Sequence, residues 1–230
     1  MNGLIPNRLL FSFEFELLYF AKPPRMKGVM RDWGDEFLLP CLAEIDESAG
    51  EEALGGEPPR DFARIWAGWH DTGLYVAVEV TGKKKPLAVN ADRFWAGDNV
   101  RLCTDMRDAR ENKRATRFCQ QFYFLPQGGG PGGKEPVAGS RRIHRATSDA
   151  PQVPSDGLRV HAKVKRGGYF LEGHVRSAAL SGFDPTEHSR IGFFVIVEDA
   201  EFGQQYLTVG DAMNWHIDPS TWASAVLLPA

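Results

Sequence analysis

One short stretch, RFWAGDNVRLCTDMRD at residues 93–108, combines an aromatic ring, a turn and a partly polar strand. Trp95 lies three residues before Asp98, and the polar residues before it and Gly97 after it are typical of a loop on the solvent side. An indole on such a loop presents a flat apolar face to a ligand ring. The alternative is that Trp95 closes one end of the hydrophobic core. The first interpretation makes Trp95 a candidate ligand-binding residue.

The carboxylates of this stretch do not form a catalytic pair. Asp98, at the strand entrance, is expected to accept backbone N–H bonds around the turn. Asp105 is seven residues further on. At roughly 3.3 Å per residue, the two carboxylates are about 23 Å apart, too far to act together. The sequence also lacks a GxSxG motif, a P-loop and a dinucleotide fingerprint. We therefore predict no catalytic residue and a protein that is not an enzyme.

A second set of polar side chains is predicted on one face of two strands. Arg101 and Cys103 alternate with apolar residues, so both are expected to point away from the core. Gln121 and Cys119 share the same parity on a later strand. If these strands pair, Arg101 and Gln121 line a groove with the two thiols and are candidate ligand-binding residues. The alternative is an ordinary solvated sheet face.

No residue pattern indicates a metal or another cofactor. The six histidines show no HExxH spacing, and the three cysteines are too few for a disulfide framework. No motif pairs Met106 or Met213 with a histidine as haem ligands. We expect reduced thiols, no zinc, no haem and no cofactor.

Charge and composition argue against several partner classes. The 230 residues carry a formal net charge of -3, with basic residues scattered apart from the run Lys83-Lys84-Lys85. This predicts no nucleic-acid partner. The N-terminal apolar run is interrupted by Glu14 and Glu16 and has no basic leader or cleavage site, which predicts no membrane partner and a cytoplasmic location.

Alternation and turn residues predict an all-β chain. FARIWAGW, the turn HDTG and LYVAVEV are typical of a β-hairpin with Trp69 in the core. Only 36–45 and 177–180 have the character of a helical turn. Roughly ten strands with little helix indicate an antiparallel β-sandwich of jelly-roll or immunoglobulin-like type. The other strands are predicted at 10–17, 99–105, 117–125, 158–165, 169–175, 191–197, 205–209 and 225–228.

A single sandwich domain is expected over 1–230, with 1–60 contributing N-terminal strands and loops. The glycine-rich stretch PQGGGPGGKEPVAGS at 126–140 is predicted to be a mobile loop, with an interdomain linker as the alternative. Trp222 is expected to be packed, and Trp33 and Trp66 are poor candidates for ligand binding.

Five segments follow one another in a specific order from Ala63 onward: GLYVAVEV, FWAGDNVRLCTDMRD, GGYFLEGHV, LSGFDPTEHSRIGFFVIVEDAE and NWHIDPSTWASAVLL. In this order the chain resembles the family 9 carbohydrate-binding modules and the wider DOMON-like group of β-sandwiches. The resemblance implies a jelly-roll-like sandwich and, in the members that bind sugars, a cleft where two tryptophans enclose a sugar ring. The C–H face of a pyranose stacks on an indole, and its hydroxyl groups need polar partners.

The resemblance implies that Trp95 and Trp215 are the two stacking residues, both open to solvent. Arg101 stands where sugar-binding members carry a glutamate, and Gln121 stands where they carry an arginine. The sugar recognised by those members therefore does not transfer to this chain. Members often hold structural calcium, but the acidic loop at 198–203 lacks the dense oxygen ligands that Ca²⁺ requires. We expect no cofactor, with calcium as the alternative.

Two functions remain open. The first is non-catalytic binding of a mono- or oligosaccharide, stacked on Trp95 and Trp215 with Arg101 and Gln121 as hydrogen-bonding partners. The second is a structural or protein-interaction sandwich that has lost the sugar site, with an unknown protein partner. The first hypothesis requires both indoles to lie open to solvent.

Overall fold

A computed structural model describes residues 13–40, 61–208, 210 and 213–229. These parts of the chain form two β-sheets and a few 3₁₀ turns. None of their helices is long and apolar enough to cross a membrane. The strands are β1 (Glu14–Leu17), β2 (Ala63–His70), β3 (Gly73–Val80), β4 (Asn99–Asp105), β5 (Cys119–Gly129), β6 (Glu135–Arg141), β7 (Leu158–Lys165), β8 (Gly168–Arg176), β9 (Arg190–Asp199), β10 (Gly203–Tyr206) and β11 (Ala223–Leu227).

The two sheets stack as a sandwich, which confirms the predicted fold class. The larger sheet has the order β1-β11-β9-β4-β5-β6, with β10 also paired to β9, and the smaller sheet has the order β2-β3-β8-β7. Every described strand pair is antiparallel except β1 with β11. The parallel pairing of β1 joins the N-terminal part of the chain to the edge of the larger sheet.

The core lies between the sheets and follows the two-residue period of the strands. Phe122 and Phe124 of β5 are fully buried on the inner face of the larger sheet. A Cβ at Gly173 in β8 would lie 2.9 Å from the Phe124 ring, so the missing side chain lets the sheets approach closely. Each fully buried phenylalanine stabilises the fold by about 1.5–3 kcal/mol.

The outer face of the smaller sheet is covered by the N-terminal segment. Trp66, Tyr75 and Phe170 project from this face and pack against Phe20 and Trp33. Trp33 and Trp66 are therefore buried, which agrees with their exclusion as ligand-binding candidates. Of the residues up to 60, the structure describes 13–40, which supply β1 and this cover; the extent of the domain over 1–230 stays a prediction.

Most predicted elements lie where the alternation placed them. The hairpin of β2 and β3 is present, and β4 and β7 match their predicted bounds. The predicted helical turns correspond to the 3₁₀ turns Asp35–Phe37 and Ser177–Ala179. Residues 10–12 and 41–45 of the predicted elements lie outside the described residues.

The glycine-rich stretch is largely strand, so the prediction of a loop over 126–140 is wrong for most of its length. β5 continues to Gly129 and β6 begins at Glu135, with Gly129 opposite Glu135 and a bulge between Leu125 and Gly129. Gly128 at φ 119° and Gly130 at φ 68° adopt backbone angles that suit glycine at a bulge and a turn. Backbone pairing therefore orders a segment whose composition is typical of a loop.

Candidate functional site

Trp95 is the exposed large aromatic residue among those that the structure describes. Its side chain is 45% exposed, whereas the other five tryptophans are at most 6% exposed. The adjacent Phe94 is buried and stacks on Tyr123 of β5, with ring centroids 4.2 Å apart and planes 14° apart. Trp95 contacts Phe94 edge to face at 5.2 Å. The indole is thus mounted on a packed aromatic pair and keeps much of its surface in solvent.

The buried side chain of Asp98 ties the loop that carries Trp95 to two neighbouring loops. Its carboxylate accepts the backbone N–H groups of Ala88 at 2.8 Å and Ala200 at 2.9 Å. Asp98 therefore accepts backbone N–H bonds, but the prediction that the donors belong to its own turn is wrong, because they come from two other loops. Its Oδ1 also receives Lys83 Nζ at 3.1 Å, and the same ammonium lies 2.5 Å from Asp199 Oδ2. All three charged side chains are buried.

The role of Lys83 was not predicted, because this residue lies in a run of three lysines, which is typical of a solvated surface. Burial lowers the pKa of Lys83, but its hydrogen bonds and charge interactions with Asp199 and Asp98 outweigh burial and raise the pKa overall. Lys83 therefore stays charged at neutral pH. One signal pointed to it: two aspartates at the neighbouring ends of paired strands β4 and β9 need a cation between them.

Arg101 and Gln121 share one outer sheet face, as strand parity predicted. β4 pairs with β5, with Cys103 directly opposite Gln121 and Arg101 opposite Tyr123. The alternative of a solvated face is wrong, because Arg101 and Gln121 are each only 7% exposed and Cys103 is buried. Burial also raises the pKa of Cys119 to about 11, so this thiol is neutral at physiological pH.

Trp215 is fully buried, and the expectation that it lies open to solvent is wrong. Its ring stacks on Phe194 of β9 with centroids 4.9 Å apart, and the Arg101 guanidinium lies 4.8 Å from the ring centroid. Its carbonyl accepts Trp222 Nε1–H at 2.8 Å. The physical reason is that Phe194 lies on the outer face, and its apolar ring is shielded from water by the stacked indole. Trp222 is itself buried, as predicted.

Arg101 forms an ion pair with Glu198. Glu198 lies near the end of β9, opposite Asn99 and two residues beyond Ile196, the partner of Arg101. β4 carries an arginine at position 101, and the neighbouring strand β9 supplies a carboxylate, Glu198, beside it. The sequence indicated Glu198 only as a weak calcium ligand. The ion pair of Glu198 with Arg101 was not predicted, since strand order cannot be deduced from alternation alone.

Gln121 lines a cavity of about 280 Å³ beside β5 and the end of β6. Ser140, Arg141, Asp149 and Gln152 give the cavity a polar wall. Within the described residues, no hydrogen bond joins the side-chain amide of Gln121 to another protein group, and its polar atoms are not among the buried unsatisfied ones. Gln121 is thus available to a polar ligand in this cavity.

The four predicted site residues are linked along one face rather than around one cleft. Trp95 contacts Phe94, Phe94 stacks on Tyr123, and Tyr123 lies opposite Arg101, which contacts Trp215. Gln121 is two residues from Tyr123 on the same face, about 7 Å along the strand. The structure brings Arg101 against Trp215 but does not make the two indoles the walls of an open cleft.

The carboxylates of the acidic loop at 198–203 are engaged by other groups of the protein. Asp199 binds Lys83 through Oδ2 and accepts the N–H groups of Glu201 and Phe202 through Oδ1. Among the residues that the structure describes, no group of three or more His, Cys, Asp or Glu side chains is arranged to hold a metal ion.

An antiparallel two-sheet sandwich with one indole open on a loop defines the class of this molecule as a β-sandwich domain. The chain belongs to the family described as "Carbohydrate family 9 binding domain-like", whose profile matches residues 60–229. This confirms the resemblance to the family 9 carbohydrate-binding modules. A search of the curated proteins returned no match.

Two solved structures share the fold. They are a carbohydrate binding module family 9 from Caldicellulosiruptor kristjanssonii in complex with cellotriose and in complex with glucose. Each has a TM-score of 0.62, 14% identity and coverage of 94% of this chain, and the match covers 94% and 96% of the respective structures. At this identity, the similarity shows the architecture and not the ligand.

Proposed function

We propose that this protein is a non-catalytic saccharide-binding domain in which a sugar ring stacks on Trp95 and Gln121 provides a polar contact. Membership of the family supports this proposal, as do the cellotriose and glucose found in the two structurally similar modules. The observation that carries it is the exposure of Trp95, at 45%, while all other tryptophans are packed.

The mounting of Trp95 suits a binding surface. A pyranose presents an apolar C–H face that loses contact with water on an indole, and the ring of Trp95 gives it a surface of matching shape. Phe94 and Tyr123 hold the loop that carries the indole, and Asp98 ties the loop to its neighbours. A platform that is ordered before binding loses less conformational entropy when the ligand arrives.

The polar half of the proposed site differs from the one expected from the sequence. Arg101 is engaged by Glu198 and covered by Trp215, so its part is to hold the outer face together. Gln121, in contrast, has an amide without a hydrogen-bonding partner in the described chain and opens to a polar cavity. Stacking on one indole with amide contacts nearby is the arrangement that these residues support.

Isothermal titration with cellotriose and glucose, followed by a wider panel of neutral oligosaccharides, tests this proposal. We expect Trp95→Ala to weaken binding by about tenfold or more, because a stacked ring and its buried area contribute at least about 1.4 kcal/mol. Trp95→Phe should retain part of the affinity. Leu38→Ala, which removes an exposed apolar side chain on the other sheet, is the control. Equal affinity of wild type and Trp95→Ala for every sugar would reject the proposal.

The burial of Trp215 favours a second candidate function, a protein-interaction sandwich that has lost the two-walled sugar cleft. Trp95 would then be a contact for another protein. This candidate predicts no heat with any saccharide, together with capture of a defined protein partner that Trp95→Ala abolishes and free sugar does not displace. A titration with sugar that depends on Trp95 would exclude it.

A further inference from the structure

An open groove lies at the end of the sandwich where the loop after β3 meets the turn between β7 and β8. The groove has a volume of about 670 Å³ and is closed on the side of the larger sheet by Gln127 of β5. Pro86, Leu87 and Val164 line it with apolar surface, and Val164 is one of the few large apolar side chains that are exposed. It is separate from the cavity at Gln121, since the two share no lining residue.

The rim of this groove is positively charged. Lys84, Lys85 and Arg166 are exposed on it, and in the described parts of the chain none of their side chains lies within 4.0 Å of a carboxylate oxygen. Lys165 differs from them, because it pairs with Glu79 at 2.7 Å. The whole chain carries a net charge of -3, so the positive groove is a local feature and not a general excess of basic residues.

The backbone that carries these cations is held in place at several points. The N–H of Lys83 donates to the carbonyl of Gly167 at 3.0 Å, which ties the loop to the β7–β8 turn. The N–H groups of Lys84 and Lys85 donate to Glu201 Oε2 at 3.0 and 2.8 Å. The buried ammonium of Lys83 anchors the loop from inside. The carboxylate of Glu201 faces the backbone of the loop and accepts these N–H groups.

We propose that this groove binds the anionic group of an acidic saccharide, a carboxylate or phosphate carried on a sugar ring. Lys84, Lys85 and Arg166 supply charge-assisted hydrogen bonds to the anion. Leu87, Val164 and the other apolar lining residues contact the C–H face of the ring, in the way that pockets combine apolar walls with a few polar groups. An ammonium-rich rim without an apolar lining would have no preference for a sugar over a free anion.

This inference rests on the proposed function for the choice of a saccharide, and it adds the charge of the ligand. The groove and Trp95 lie at the same end of the sandwich. Gln127 lines the groove, and a Cβ at the adjacent Gly128 would lie 3.3 Å from Val89, in the segment that leads to Trp95. An acidic oligosaccharide stacked on Trp95 can therefore extend toward the groove.

Isothermal titration with trigalacturonate, glucose 6-phosphate and cellotriose tests the inference, with the carboxylate and phosphate probes distinguishing the two sources of the anion. We expect at least one acidic probe to bind more tightly than cellotriose, and its affinity to fall as salt is added. Lys84→Ala with Lys85→Ala should weaken that probe by about tenfold, because the variant loses the charge-assisted hydrogen bonds that the two ammonium groups make to the anion. Arg166→Ala should have a similar effect. Cellotriose binding should not change.

The control is the double variant Lys22→Ala with Lys113→Ala, which removes two exposed cations outside the groove and should leave the affinity unchanged. Equal loss in this control, or failure of both acidic probes to bind, would overturn the groove site whatever cellotriose does. Failure of the proposed function alone has a different signature: acidic probes would bind through Lys84 and Lys85, and Trp95→Ala would have no effect on any sugar.

Discussion

Trp95 and Trp215 occupy the two positions that the family resemblance implies for stacking, yet the fold treats them in opposite ways. Trp95 makes an edge-to-face contact with Phe94 and is 45% exposed. Trp215 is enclosed by Phe194 on one side and contacted by Arg101. A position that corresponds to a family's binding site therefore does not determine whether the side chain there is exposed. The residues beneath the ring determine it.

The charged groups beneath the two tryptophans explain the contrast. Under the Trp95 loop, Lys83 and Asp98 are buried together with Asp199, so the loop is fastened without using the indole. Under Trp215, the guanidinium of Arg101 contacts the ring itself. Burial of an indole removes about 150–250 Å² from water, worth about 4–6 kcal/mol, whereas a cation–π contact contributes about 0.5–2 kcal/mol. Apolar burial therefore dominates the placement of Trp215.

The largest effect is expected when the buried ring of Trp215 is truncated. Trp215→Ala should lower the free energy of unfolding by about 4 kcal/mol, because it leaves a cavity over Phe194 and Arg101. Urea denaturation followed by circular dichroism measures the change. If Trp215 were instead a wall of the binding site, stability would change little and the affinity for saccharide would fall.

Removal of the buried cation should have the next largest effect. Lys83→Met leaves Asp98 and Asp199 buried without their counter-charge and should destabilise the fold by about 3 kcal/mol. The adjacent and exposed Lys84 provides a matched control, since Lys84→Met should change the unfolding free energy very little. Similar values for the two variants would show that the loop under Trp95 does not depend on Lys83.

The support under Trp95 is open to a finer test at Gly139. A Cβ at this residue would lie 2.2 Å from the hydroxyl oxygen of Tyr123, so the ring that carries Phe94 must move. Gly139→Ala should cost about 1–3 kcal/mol in stability and also weaken saccharide binding. Gly132→Ala is the control, because nothing lies within 4 Å of a Cβ there. Unchanged stability and affinity in Gly139→Ala would mean that Tyr123 does not position the platform.

The smallest change in stability is expected at Trp95 itself. Trp95→Ala should alter the unfolding free energy by less than about 1 kcal/mol, because 45% of the side chain is already exposed. Thermal and urea unfolding of this variant beside Trp215→Ala measure the contrast directly. A large loss of stability in Trp95→Ala would indicate that the ring closes the core, as the alternative interpretation holds.

Alternation predicted much of the fold because each sheet has a dry inner face. Val100 and Leu102 on one side of β4 and Arg101 and Cys103 on the other repeat with the period of a strand, so their opposite directions followed from the sequence. The glycine-rich stretch was predicted poorly for the converse reason. Its side chains carry no pattern, and its order comes from backbone pairing with the preceding strand.

The sequence by itself determined the all-β class, the sandwich family, the faces of the strands and the solvent-side character of the loop at Trp95, because all of these depend on local pattern and collinear motifs. Only the tertiary structure decided that Lys83 turns inward while Lys84 and Lys85 stay outside, and that Trp215 is sealed. The physical reason is that burial depends on partners distant in sequence. Asp199, the last residue of β9, neutralises the charge of Lys83. Phe194 and Arg101 contact the Trp215 ring and hold it on the outer face of the larger sheet.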